Sequence, residues 1–351
     1  MVLVGCGGGT HPAAASPAFT AVTGLPAAPA GSLRAVIAAA PGFVAVGSAS
    51  YAGPGLVWSS GDGSTWQVAS HVTDVTQNEL LLTVAAGPSG TVALGPQCNG
   101  ECSGGIPIVS ADLATWRTGT PLTPPFVVAV KDAIWDGSRY LAVGDEITDA
   151  SPVGYNALAW TSANGLAWTL APDSAALDRA TMSSIVKGGP GYVAVGAGQE
   201  TSGFRGAAWT SPDGTNWTRV PDGSAFDNAF IFAVTAGGPG FVAVGRGANG
   251  AAVWTSSDGA AWQRVPDSPA LANAEMHGVV AGPGGLVAVG YDHDGAIIWT
   301  SADGTTWTRI EQLANAAGAQ ALAVAQAKGT YVAVGGGGPS GTAQPYVWVG
   351  R

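Results

Sequence analysis

The chain has 351 residues with a formal net charge of −10; only 10% of them are charged and 46% are hydrophobic, enough to bury a large core or two ordinary ones. Its 13 Lys and Arg form no basic run, which excludes nucleic acid as the main partner, because phosphate-backbone binding needs a basic face. The 54 glycines, with abundant Ala, Val and Trp, point to many short strands and tight turns, and no long segment shows helical periodicity.

At the N-terminal end, Leu3-Val4-Gly5-Cys6 resembles the lipobox of bacterial lipoproteins, whose cysteine becomes the lipidated N-terminus after cleavage. The following "GGGTHPAAASPA" reads as a small-residue tether. Five residues precede Cys6, too few for the charged and apolar regions of a signal segment. Either the start lies upstream or the match is chance. The resemblance implies a signal and tether over 1–15 and a single domain over 16–351. It also implies an extracytoplasmic protein, lipid-anchored at the bacterial cell envelope. No other stretch approaches the ~20 apolar residues of a membrane span, so membrane contact is expected only through that anchor.

Beyond the tether, the chain repeats itself. The element "FVAVG" occurs at Phe43–Gly47, Thr91–Gly95, Tyr140–Gly144, Tyr192–Gly196, Phe241–Gly245, Leu286–Gly290 and Tyr331–Gly335. A second element, as in "WTSSDGAAWQRVPD" (Trp254 to Asp267), carries two tryptophans eight residues apart. Its first tryptophans are Trp58, Trp160, Trp209, Trp254, Trp299 and Trp348, with Ile108 in the second copy; its second ones are Trp66, Trp116, Trp168, Trp217, Trp262 and Trp307. Twelve of the 13 tryptophans therefore fill repeat slots. In the sixth copy the four predicted strands are "MHGVVAG", "GLVAVGYD", "AIIWTS" and "TTWTRI", separated by Gly-, Pro- and Asp-rich turns. Four strands per repeat is the period of a β-propeller blade. The expectation is an all-β, seven-bladed propeller with four antiparallel strands per blade. Counting 24 residues back from Phe43, the spacing found in five of six repeats, lands on Phe19. An N-terminal strand around Phe19–Val22 is thus expected to close the last blade and remove its exposed edge.

The second copy also holds Cys98 and Cys102 in "PQCNGECSGG". A lone pair lacks the second pair that a zinc site needs. A small disulfide is expected there, which would mean an oxidising compartment; free thiols or a weak metal site are the alternatives.

The turns between paired tryptophans carry Asp62, Asp112, Asn164, Asp213, Asp258 and Asp303, each two residues after a serine. Asp or Asn accepts backbone N–H bonds within a turn, and the glycine that follows supplies positive φ. These turns are read as hairpin staples. They resemble the Asp-box (BNR repeat) of sialidase-type propellers, shortened by one residue between Asp and Gly. The resemblance covers nearly the whole chain after residue 16 and implies that the boxes lie away from the functional face. Sialidase chemistry itself is not expected. The Arg-Ile-Pro start is missing, the nearest echo, Phe204-Arg205-Gly206, reads as a loop, and Arg219, Arg264 and Arg309 occupy equivalent surface slots.

Candidate site residues come from aligning the innermost strands. One position per repeat varies: Arg34, Leu82, Lys131, Ser183, Phe232, His277 and Leu322. Two residues later the set is uniformly apolar (Val36, Val84, Ala133, Ile185, Val234, Val279, Val324), as packing requires. The variable set includes cations and a histidine, and Glu275 with the loop holding Asp292, His293 and Asp294 belongs to the same repeat as His277. Arg34, Lys131, Phe232, Glu275, His277, Asp292, His293 and Asp294 are therefore the candidate ligand-binding residues, for a small anionic or sugar ligand, against a reading as solvated rim. The triplet has metal-ligand types, but consecutive strand residues point to opposite sides, so no metal and no cofactor are expected. Arg205 and Arg246 read as plain surface charges, and Trp135 as a packing plug. No catalytic constellation occurs.

The expected function is a monomeric, non-catalytic binding or scaffold propeller for an unknown protein or glycan. Two alternatives remain: a carbohydrate-active enzyme using Glu275 with Asp227, Asp292 or Asp294, and an assembly factor for a membrane complex.

Overall fold

The computed structural model describes residues 17–26, 31–49, 53–76, 79–99, 101–122, 128–148, 154–189, 191–200, 203–310, 313, 317–337 and 343–351. Cys6 and the tether lie outside them. Apart from two three-residue 3₁₀ turns, Val72–Asp74 and Ser224–Phe226, the regular structure among the described residues is all strand.

The "FVAVG" strands show why the chain stacks its sheets. In Gly240–Arg246 every residue from Phe241 to Gly245 is buried. A strand with one wet face would alternate; an unbroken buried run means both faces are covered. Each blade is sandwiched between neighbours, which is the packing of a β-propeller.

Five separate four-stranded sheets follow in chain order: blade A (83–118), blade B (128–170), blade C (180–219), blade D (230–264) and blade E (274–310). In blade E, Ala274–Gly282, Gly285–Asp292, Ala296–Ser301 and Thr308–Ile310 pair in sequence order, all antiparallel. The expectation of seven separate blades is corrected here. Besides these five blades, the described residues form one eight-stranded sheet from both ends of the chain. Ser32–Ala39 pairs with its own neighbour Gly42–Ser48 and also with Thr330–Gly337, through Ser32 opposite Gly336. The cause is local. A Cβ on Gly336 would lie 2.4 Å from Ser32 Oγ; without one, the two strands come close enough to bond. Within the same sheet Phe19–Ala21 pairs with Gln344–Gly350, and Arg351 donates to the Asp62 carbonyl and to Ser64 Oγ, at 3.3 and 3.0 Å.

Tryptophans fill the seams. Trp254 is fully buried against Val193 and Val195 of blade C, and its Nε1 donates to the Ala225 carbonyl at 2.7 Å. The turn after it is held from inside. Asp258 Oδ1 accepts from Ala260 N and Ala261 N, both at 2.9 Å, Ser256 Oγ accepts from Gly259 N at 2.9 Å, and Trp262 Nε1 donates to the Gly259 carbonyl at 2.9 Å. The turns at Asp62, Asn164, Asp213 and Asp303 repeat the backbone bonds. At Asp112, Leu113 stands in the glycine slot at φ 60°. Trp135 packs on Tyr140 at 4.7 Å. Cys98 is buried and disulfide-bonded, in the hairpin Pro96–Asn99/Glu101–Gly105, where its cross-strand backbone partner is Cys102.

The last glycine of each "FVAVG" has a different reason to be glycine. A Cβ on Gly47, Gly95, Gly144, Gly196, Gly245, Gly290 or Gly335 would lie 1.7–2.0 Å from a carbonyl oxygen of the adjacent innermost strand. Beside that contact the innermost strand carries a β-bulge, for example between Met276 and Gly278 opposite Gly290 and Val289. The bare glycine lets the bulged strand press inward.

Blade A holds one misfit. Ala180, Ala229, Ala274 and Ala319 are buried three residues before the bulge positions; in blade A that place is Glu79, also buried, and among the described residues neither carboxyl oxygen has a hydrogen-bond partner. Burial pushes its pKa up to about 8.

Two outcomes are expected. Gly290→Ala should lower stability by about 3 kcal/mol or more in a urea melt, whereas Gly61→Ala, with nothing within 4 Å, should stay within about 0.5 kcal/mol. Glu79 holds its proton in the folded state well above the ordinary glutamate range, so its stability contribution is full below that range and falls as pH rises to about 8. Glu79→Ala should therefore be more stable than the parent at pH 8.5, by up to about 4 kcal/mol, with the gap closing at pH 4, as read by thermal melts.

Candidate functional site

The bulges decide which residues face the channel mouth. Arg34, Lys131, Ser183, Phe232, His277 and Leu322 are each the extra, unpaired residue of an innermost strand. Leu82 directly precedes Thr83–Gly87, its N–H bonded to the Leu94 carbonyl at 2.9 Å. A bulged residue is re-aimed relative to its strand. The variable positions of the repeat are thus the ones that the backbone releases from pairing.

On one side of the mouth, rings gather into a ladder across blades B to E. Phe232 and His277 stack at 4.3 Å and 12°. His277 stacks on Tyr291 at 4.9 Å, and Phe230 on Phe232 at 5.0 Å. Phe204 meets Phe230 edge-on at 5.6 Å, and Tyr155 lies 6.0 Å from Phe204. Phe204 and Arg205, expected in a loop, lie in the strand Gly203–Ser211, because the hairpin with Gly191–Glu200 runs as long as that of blade B and longer than that of blade D. Phe204 is 39% exposed, one of the few large apolar side chains on the surface. Beside the ladder runs a groove of about 990 Å³ lined by Phe204, Phe230, Arg246, Glu275, Tyr291 and His293, among others. That size suits a ligand site.

Polar groups brace the ladder from below. Glu275 Oε2 faces His277 Nε2 at 3.1 Å and accepts from the Tyr291 hydroxyl at 3.4 Å; Oε1 faces Arg246 at 3.3 Å. An ionised carboxylate only accepts, so His277 carries its proton on Nε2 toward it. The His277 bond, with Arg246 behind it, holds the Glu275 carboxyl below its ordinary range despite burial. Burial and then Glu275 raise the Tyr291 phenol. Burial also works to raise Asp292, but Arg309 and the N–H groups of Asp294 and Gly295, at 2.8 and 3.1 Å, outweigh it and leave the carboxyl low.

The sequence candidates therefore divide. Phe232, Glu275, His277 and, along the groove, Asp292 and His293 come together. Lys131 does not join them: its ammonium pairs with Asp145 at 2.7 Å and donates to Thr181 at 2.5 Å, tying blade B to blade C. Arg34 is exposed and lies near enough to Tyr291 to act on its charge. Among the described residues, no three of His, Cys, Asp and Glu are placed to share a metal ion. Sequence reasoning missed Tyr155 and Phe230 and passed over Arg246. A signal was present in the Phe230-Ile231-Phe232 pattern and in the residue after the "FVAVG" glycine, which varies as freely as the bulge position: Ser48, Asp145, Ala197, Arg246, Tyr291.

This geometry sits on a widespread fold. The structure of YCF48 bound to D1 peptide is similar over 96% of this chain and 95% of that one, with a TM-score of 0.62 and 13% identity. The WD40 β-propeller domain of Doa1 matches over 94% and 96%, at 0.56 and 11%. The Trypanosoma rangeli sialidase matches over 82% of this chain but 56% of its own length, at 0.51 and 15%. These likenesses show the fold, a propeller with sialidase-type and WD40-type neighbours. No family model matches the chain, and no curated protein matches its sequence.

Glu275 ties three donors, and its folded carboxyl titrates lower than an unfolded one, so its contribution is present above the ordinary glutamate range and is lost as pH falls through the folded value. Glu275→Gln is expected to cost about 1–2 kcal/mol at pH 7, and the gap is expected to narrow as pH falls below the ordinary glutamate range, as measured by thermal melts across an acid series.

Proposed function

We propose that the protein is a non-catalytic binding propeller that takes a polypeptide segment in the groove beside the aromatic ladder. The observation that carries the reading is the ladder itself. Five aromatic residues and a histidine from four successive blades meet ring to ring along one rim of the mouth, with Phe204 left open to solvent. Rings of this kind offer contact area at low entropic cost, which is why aromatic anchors dominate protein-recognition hot spots. The YCF48 propeller, one of the neighbours similar along nearly the whole chain, is bound to a D1 peptide, which supports a peptide over a glycan.

The carbohydrate-enzyme reading fits less well. A general acid needs a carboxyl held above its ordinary range. Glu275 and Asp292 are both held below it, each engaged by an arginine and by further hydrogen bonds. A lipid anchor at Cys6, and with it a place on the cell envelope, is part of the proposal; mass spectrometry of the mature N-terminus checks it.

The test is a random peptide display library panned on the full chain. Selected peptides are expected to bind the Phe204→Ala, Phe230→Ala double variant at least about tenfold more weakly, with little change in melting temperature from the exposed Phe204. Peptides that bind parent and variant alike, or no selection at all, would sink the groove reading.

A further inference from the structure

The groove's donors and acceptors do not balance. Its two central carboxylates are consumed internally. Glu275 serves His277, Tyr291 and Arg246, while Asp292 serves Arg309 and two backbone N–H groups. Donors, in contrast, are left over. Arg246 is 53% exposed and spends one contact on Glu275, yet a guanidinium offers five N–H groups in a fixed fork. Asn228 and Asn273 line the groove at equivalent places in blades D and E, four residues before Phe232 and His277. Both hold the left-handed conformation, φ 51° and 54°, which asparagine tolerates better than most residues. Among the described residues neither side-chain amide has a hydrogen-bond partner. Asn249 differs, because its amide is engaged by Asp267 at 3.0 Å. Arg34, near enough to Tyr291 to act on its charge, has no ion pair among the described residues.

We infer that the groove selects a peptide that brings a carboxylate to Arg246, with backbone carbonyls on Asn228 and Asn273 and an apolar side chain against Phe204 and Phe230. The inference rests on the polypeptide reading above and adds the chemistry of the ligand. It runs against the charge of the whole molecule, since a chain at −10 would by its overall field draw basic partners. The local accounting overrides that field because the one uncommitted charge at the contact is the Arg246 guanidinium, and a basic side chain there would face it with both central carboxylates already engaged. The carboxylate can come from an acidic side chain or from the peptide's C-terminus; the geometry recognises either.

The experiment uses the peptides selected on the full chain at physiological salt. They are expected to be richer in Asp and Glu, or in free C-termini near an aromatic residue, than the input library. Replacing their acids by Asn and Gln separates the side-chain source from the terminal one, which is blocked by C-terminal amidation. Whichever source is used, its removal should weaken binding by about tenfold or more. Arg246→Ala should impose a comparable loss on the acidic peptide and none beyond it on the neutralised peptide. Arg246 is half exposed and Glu275 keeps His277 and Tyr291, so the variant is expected to melt near the parent. Arg34→Ala reports separately on the second cation. Peptides that are neutral or basic yet still lose affinity on Phe204→Ala, Phe230→Ala would overturn the carboxylate inference and leave the groove reading standing. Acidic peptides indifferent to Arg246→Ala would overturn it as well. Peptides indifferent to the phenylalanine pair would overturn the groove reading itself.

Discussion

Everything at the channel mouth depends on one contact, a backbone carbonyl of the innermost strand lying where the Cβ of the last "FVAVG" residue would be. The contact explains why that residue is glycine in every copy, and the copies show that it is not a matter of φ: none of these seven glycines takes a left-handed conformation. Because the second strand yields space, the first strand can carry an extra residue. Because that residue has no cross-strand partner, its side chain is free of the in–out alternation that governs the rest of the strand. A packing constraint thereby creates a set of positions at which packing makes no demand.

The two faces of the propeller use the same residue types for opposite ends. In the turns between tryptophans, aspartates are spent on the backbone. Asp258 and its equivalents accept N–H groups of their own turn, which holds their carboxyls low even where they are exposed. At the mouth, Glu275 is spent on side chains and sets the orientation of His277, Tyr291 and Arg246. In neither place is the charge left for a ligand. Net charge is therefore a poor guide to the partner of this molecule, because most of its acids already serve as structural acceptors.

The joining of the chain ends shows how small a change alters the sheet count. A tyrosine at 291 or an arginine at 246 stands after the repeated glycine in blades E and D. Glycine at 336 leaves nothing in that place, and Ser32 crosses the gap to pair.

Much of the architecture was legible because repetition exposes what packing dictates. Seven "FVAVG" segments, the paired tryptophans and the Ser-x-Asp turns are local patterns, and each reports a local physical need: a strand covered on both faces, a seam filled, a turn closed. The variable position at Arg34, Lys131, Phe232 and His277 was legible for the same reason, as the place where the pattern lapses. What the repeat could not reveal was which lapses meet. Lys131 and His277 occupy the same repeat slot, yet one is tied to Asp145 and Thr181 while the other lies between two rings. Phe204 and Tyr155 join the ladder from hairpins longer than the repeat provides for, and the Ser32–Gly336 pairing places strands from both chain ends in one eight-stranded sheet. Those outcomes rest on contacts between residues of different blades, set by how the sheets stack around the channel. The sequence by itself determined the repeated strand motifs, their turns and the all-β propeller class, because each reports a local need; tertiary structure decided how many sheets stand apart and the company that each released side chain keeps.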